Sequence, residues 1–283
     1  MSLKSFEKNI QSQFGEDGVI EEIFNRIGTT NKICVEFGAW DGIHLSNAWN
    51  LWHNKDWTAL LIEGDKAKHE LLVSNTKEFN NVHPYLAYVA PEGENSLDSI
   101  LKKVNFPKDL DMLSIDIDGD DYYILETLNN FKPRLILIEY NPTIPPDVDI
   151  VQTKGEYFGC AALPLLRLGH MKGYKLAHVT DTNLFLVKEE LFSKLNFAEP
   201  NLKDVFVYSH LTYLISGYDG KSFLVGKPPY TQLNPVPESY NFPTLISRNI
   251  NIQKVVLNES LSILQKPAEK KSFVWRVLNK FSL

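Results

Sequence analysis

What most constrains this chain is a rhythm. Short apolar runs at Ile33–Phe37, Thr58–Glu63, Val82–Val89, Met112–Ile117 and Arg134–Tyr140 alternate with segments of helical apolar spacing, Ser46–Trp52, Lys66–Thr76, Ser96–Val104, Asp121–Asn130 and Gly159–Lys172. Strands separated by helices fold as right-handed crossovers, which lay the strands parallel in one sheet. The rhythm breaks once. Between the runs Lys175–Val179 and Asn183–Val187 stand only Thr180, Asp181 and Thr182, too few for a parallel crossover and suited to a hairpin. The expected fold is therefore α/β, a doubly wound, mostly parallel seven-stranded sheet with an antiparallel last strand.

Three regions are expected around it. Residues 1–30 read as an N-terminal capping region, whose helical spacing from Val19 to Ile27 stops at Gly28. Residues 31–195 hold the sheet. Residues 196–283 read as a Pro-rich extension, punctuated by Pro200, Pro228, Pro229, Pro235, Pro237 and Pro243, with enough apolar residues to form an irregular C-terminal cap. Its end, with Phe273, Val274, Val277, Leu278 and Phe281 ringed by Lys270, Lys271, Arg276 and Lys280, has the pattern of a basic amphipathic helix. Such a stripe can lie on an anionic membrane, and more commonly covers its own domain.

Composition narrows the partner. A net charge of -6 with scattered basic residues argues against nucleic acid and for a small molecule. The two cysteines, Cys34 and Cys160, cannot build a disulfide framework, and no run approaches the roughly 20 apolar residues of a membrane span. A cytoplasmic protein is expected. Oligomeric state is not legible.

In an open parallel sheet, ligands sit beyond the carboxyl ends of the strands where the winding reverses. The turn after the first strand is Glu36-Phe37-Gly38-Ala39-Trp40-Asp41-Gly42. It lacks the third glycine of a dinucleotide fingerprint, and its two acids would repel a pyrophosphate. They suit S-adenosylmethionine (SAM), which carries a sulfonium and an ammonium: Gly38 allows close approach, while Glu36 and Asp41 face the amino-acid end. Glu63, closing the second strand, is placed to accept both ribose hydroxyls.

A second group of acids follows the fourth strand, where Asp116, Asp118, Asp120 and Asp121 stand together; Glu139 and Asn141 follow the fifth. Two readings stay open. Asp116, Glu139 and Asn141 can converge on a hard cation such as Mg²⁺, or Asp118 and Asp120 simply cap the next helix. His44, after the first turn, and His178, ending the sixth strand, are candidate general bases, as is Asp118.

The ordered motifs VEFGAWDG, LLIEGD, SLDSILKK, LSIDIDGDDYYIL and LILIEYN, spanning Gln13 to Lys188, resemble the FkbM-type branch of class I SAM-dependent methyltransferases. The resemblance implies a Rossmann-like fold and O-methylation of a sugar or another small hydroxylated acceptor. With the residues themselves, this reading puts SAM on Glu36, Gly38, Asp41, Glu63 and Asp116, and the acceptor near Asp116, Asp118 and Glu139. The family's glutamate two residues after the fourth-strand acid is here Asp118, and the Pro-rich tail has no counterpart. The layout of acids also resembles that of metal-dependent catechol-type O-methyltransferases, where Mg²⁺ binds the acceptor oxygen.

Overall fold

The strand–helix rhythm is realised element by element. A computed structural model of the chain describes residues 2–220 and 222–226. In order these are α1 (Glu16–Ile27), β1 (Ile33–Phe37), α2 (Trp49–Asn54), β2 (Thr58–Glu63), α3 (Lys66–Thr76), β3 (Val82–Leu86), α4 (Leu97–Lys103), β4 (Met112–Ile115), α5 (Asp121–Thr127), β5 (Leu135–Glu139), α6 (Ala162–Met171), β6 (Tyr174–Val179), β7 (Asn183–Lys188), α7 (Glu189–Phe192), α8 (Leu202–Val205), β8 (Thr212–Ser216) and β9 (Ser222–Gly226). The first seven strands form one sheet in the order β3-β2-β1-β4-β5-β7-β6. All its neighbours run parallel except β7, which is antiparallel to both β5 and β6. This is a doubly wound, Rossmann-like, mostly parallel sheet, and the three-residue link at 180–182 is its hairpin. The winding reverses between β1 and β4.

Side-chain alternation decides what lies on each face. Cys34, Met112, Leu135, Leu137, Phe185 and Val187 join one core cluster with Val19, Ile20 and Ile23 of α1. Glu36, Ser114, Glu139 and Asn183 stand two residues along from members of that set, so they share the α1 face at its carboxyl edge. Val19 and Ile23 are fully buried, and truncating an isoleucine so placed to alanine costs about 2–5 kcal/mol.

The opposite edge is closed by one acid. Asp111, directly before β4, is fully buried and accepts the backbone N–H groups of Thr30 (2.7 Å), Asn31 (2.9 Å) and Lys32 (2.6 Å). Arg134 Nε lies 3.4 Å from it and also donates to the Gly28 carbonyl, while Nη2 donates to that of Ile27. The end of α1 is thus stapled to the amino edge of the sheet.

Contacts divide the chain into a unit ending at Tyr208 and a second beginning at Ser209. Within the first, Leu202 and Phe206 are buried, and the Phe206 ring lies 5.6 Å from that of Tyr140. The described part of the second is an antiparallel hairpin pairing Thr212–Ser216 with Ser222–Gly226, where the sequence suggested no periodic element. Its tip has Gly220 N–H donating to the Gly217 carbonyl at 3.0 Å. The basic amphipathic helix predicted near the C-terminus lies outside the described residues. Among the described residues no helix is long and apolar enough to cross a membrane.

Candidate active site

Every site residue expected from the sequence except Gly38 and His44 is buried or half-buried in the loops and strand ends at the carboxyl edge, and the winding reversal puts the β1 and β4 turns side by side. Gly38 shows how close they come. Its φ is 75°, and a methyl group on it would sit 1.7 Å from the Asp116 carbonyl oxygen, so only glycine fits both the backbone and the gap.

Glu36 is 4% exposed and held from both sides. Ser46 Oγ donates to Oε2 at 2.5 Å and Asn47 N–H to Oε1 at 2.8 Å. Asn47 Nδ2 then donates to Ser114 Oγ at 3.1 Å, tying the β1 turn to β4. Ser46 also accepts from the N–H groups of Ala48 and Trp49, so it precedes α2 rather than opening it as its spacing suggested. Burial pushes the Glu36 carboxyl up to about 7 despite these donors.

Glu63 links the first two turns. Its Oε2 accepts Trp40 N–H at 2.8 Å and its Oε1 accepts Asp65 N–H at 2.7 Å, which leaves lone pairs on both oxygens. Asp41 spends Oδ1 on the N–H groups of Ile43 (2.9 Å) and His44 (2.7 Å), so it shapes the turn from within. His44 is exposed, its ring edge-on to Trp40 at 5.2 Å; Lys68 Nζ sits 4.0 Å over the Trp40 ring. His178 is buried instead, paired to Glu7 Oε1 at 2.7 Å, with burial lowering its pKa.

The acids after β4 and β5 do converge. Asp116, Asp118 and Glu139 each offer a carboxylate oxygen within 4.8 Å of the others. Burial, then the charges of Asp121 and Asp118, pushes Asp116 up to about 7. Glu139 is raised well above the usual carboxylate range by burial and by the neighbouring charge of Asp116. Asn141 works inside the following loop: Nδ2 donates to the Phe158 carbonyl at 2.8 Å, and Oδ1 accepts Thr143 N–H at 3.0 Å and Thr143 Oγ1 at 2.7 Å.

Asp120 and Asp121 bind the loops around the start of α5 rather than the helix's own free N–H groups. Asp121, buried, accepts the N–H groups of Ile117 and Gly119, each at 2.9 Å. Asp120 makes no side-chain cap and accepts Gln152 Nε2 and Gly155 N–H instead. Asp118 adopts a left-handed φ of 59°, and Tyr157 Oη donates to its Oδ2 at 2.8 Å. Gln152, 3% exposed, organises the loop that carries Tyr157: Nε2 also donates to the Glu156 carbonyl, and Oε1 accepts the N–H groups of Phe158 and Gly159. Neither Gln152 nor Tyr157 is marked by periodicity or motif.

Comparison with known proteins bears on this geometry. Residues 47–163 match the model of the methyltransferase FkbM domain. No sequence among curated proteins matches significantly. Similar solved structures include the N-terminal domain of EvdMO1 with SAH bound, 12% identical, covering 61% of this chain and 79% of that one with a TM-score of 0.41. A putative caffeoyl-CoA O-methyltransferase from Staphylococcus aureus is 15% identical, covering 65% and 88% with a TM-score of 0.42. A SAM dependent methyltransferase from Aquifex aeolicus is 10% identical, covering 65% and 94% with a TM-score of 0.38. Over that stretch, the chain is similar to an FkbM-type methyltransferase domain.

Proposed function

We propose that the protein is a SAM-dependent O-methyltransferase acting on a hydroxyl of a sugar, a glycan precursor or a similar small molecule. The observation that carries this reading is the crowding of buried and half-buried carboxyls where the winding reverses: burial raises Glu36, Asp116 and Glu139, and the charges of neighbouring acids raise Asp116 and Glu139 further. Such a site favours a cationic ligand without phosphate. SAM supplies an electrophilic methyl group on a sulfonium.

The chain's own residues account for the rest. Glu63 keeps lone pairs for the ribose hydroxyls at the end of β2. Gly38 holds the β1 turn against β4, and Glu36 and Asp116 line the cationic end. Methyl transfer needs alignment and removal of the hydroxyl proton. Asp116, pushed up to about 7 by burial and by the acids around it, is matched to taking that proton at neutral pH. Asp118 and the Tyr157 hydroxyl form the wall that orients the acceptor.

The donor set also fits a hard cation, because three carboxylate oxygens within 4.8 Å repel one another until a positive charge joins them. Asp116, Asp118 and Glu139 would hold Mg²⁺, which would supply Lewis-acid chemistry toward the acceptor oxygen. A cytoplasmic location fits a pathway that uses SAM.

The test is a thermal-shift comparison. SAM and S-adenosylhomocysteine should stabilise the protein, by about 2.7 kcal/mol at one hundred times the dissociation constant, and NAD should not. Stabilisation by NAD alone would replace this reading with a nucleotide-dependent oxidoreductase, and by neither with a non-catalytic binding protein. With an acceptor in hand, EDTA should abolish transfer while leaving S-adenosylhomocysteine affinity intact. Full activity in excess EDTA removes the metal.

A further inference from the structure

We propose that the first turn of α1 forms the wall of the cofactor pocket that receives the ligand's primary ammonium, with Asp17 Oδ1 as its acceptor. This rests on reading the site as one for SAM.

The carboxylate of Asp17 is divided. Its Oδ2 accepts the backbone N–H groups of Ile10, Gln11 and Ser12, each at 2.8 Å, while Ser12 Oγ accepts Asp17 N–H at 3.1 Å. That oxygen folds the segment before α1 into a tight cradle. Asp17 is only 2% exposed, yet among the described residues its Oδ1 has no hydrogen-bond partner. A buried acceptor on a carboxylate is costly to leave bare.

Its neighbour shows where the turn sits. Glu16 accepts Phe14 N–H and Thr180 Oγ1, each at 2.7 Å, and Asn183 Nδ2 at 3.4 Å, which fixes the start of α1 to the ends of β6 and β7 at the carboxyl edge. Glu36 lies at that same edge, on the face that α1 covers. The charge of Asp17 is among the influences that raise the Glu36 carboxyl. Two buried acids therefore lie within electrostatic reach of one another. A primary ammonium carries three donors and a full positive charge, which answers both the bare oxygen and the mutual repulsion.

Two nucleosides separate this from a folding role. S-adenosylhomocysteine and 5′-methylthioadenosine share the adenosyl end, and only the first carries the ammonium. Asp17→Asn keeps an oxygen for the cradle and removes the charge. In calorimetry on the full chain, it should weaken S-adenosylhomocysteine by about tenfold or more and leave 5′-methylthioadenosine within about twofold. The melting temperature should hold or rise, since a charge opposing Glu36 is gone. Ser12→Ala, which loosens the same cradle without touching Oδ1, should shift the two ligands together. Unchanged S-adenosylhomocysteine affinity in Asp17→Asn, or equal weakening of both ligands with a lower melting temperature, overturns the proposal. Wild-type protein that binds neither nucleoside sinks the cofactor reading itself, and this inference with it.

Discussion

Strand β4 carries a buried aspartate just before it and a half-buried one just after it, and the two live in opposite surroundings. Asp111 at the amino edge has three backbone N–H donors and Arg134 close by. Asp116 at the carboxyl edge has Asp118, Asp121 and Glu139 for company, and its carboxyl is driven up to about 7. An acid supplied with donors and a cation serves as a staple. Acids packed against one another store an unfavourable charge that a ligand, a proton or a metal relieves, as ligand sites commonly do. The two ends of one strand thus divide stability from chemistry.

The sharpest way to break this contrast is to remove the staple. Asp111→Ala leaves Arg134 and three N–H groups without their acceptor, and should cost about 3–5 kcal/mol in urea denaturation. S-adenosylhomocysteine affinity of the folded fraction should stay unchanged. A loss below about 1 kcal/mol would show that Asp111 is no staple.

The second measurement works on the other end through pH. Glu36 and Asp116 have carboxyls at about 7 in the folded protein, against about 4 when unfolded. Over that window the folded state holds more protons, so stability should fall as pH rises from about 4.5 to about 7 and level off above it. The drop should be on the order of 4 kcal/mol for each group acting alone. Asp116→Asn should remove its share, keep or raise the melting temperature, and lower methyl transfer by about a hundredfold or more. A flat stability profile from pH 5 to pH 8 would mean that the acids at the carboxyl edge are not under strain.

The smallest effect concerns the loop above the acids. Tyr157→Phe deletes the hydroxyl that donates to Asp118 and should leave stability within about 0.5 kcal/mol. Its signature is a KM for the acceptor raised several-fold, with kcat little changed. A fall in kcat at constant KM would move Tyr157 from orienting the acceptor to the chemistry itself.

Much of the sheet was legible because periodicity survives local detail. Strands β1 and β2 have the bounds read from their apolar runs, and the link at 180–182 was too short to be anything but a hairpin. The β8–β9 hairpin escaped notice because its Tyr-Leu-Ile and Phe-Leu-Val runs sit in a stretch dominated by proline and asparagine. Within the site, the residue types were readable and their partners were not. Asp41 looked directed at a ligand and turns inward on its own backbone. Asp120 looked like a side-chain cap and, at the N-cap position, turns its carboxylate to the 152–155 loop instead. Gln152 gave no signal, since a hub is defined by contacts among residues that no spacing rule connects.

The sequence by itself determined the element order, the parallel sheet with its antiparallel break, and the accumulation of acids at the carboxyl ends of β1, β2, β4 and β5, because period, length and strand polarity are local properties of the chain. Only the tertiary structure decided which acids are satisfied and which are crowded. Asp111 and Asp116 are five residues apart and chemically identical; what separates them is that folding brings the Thr30–Lys32 backbone and Arg134 to one and other carboxylates to the other. Burial makes that difference large, since an acid removed from water depends on whatever neighbours the fold supplies.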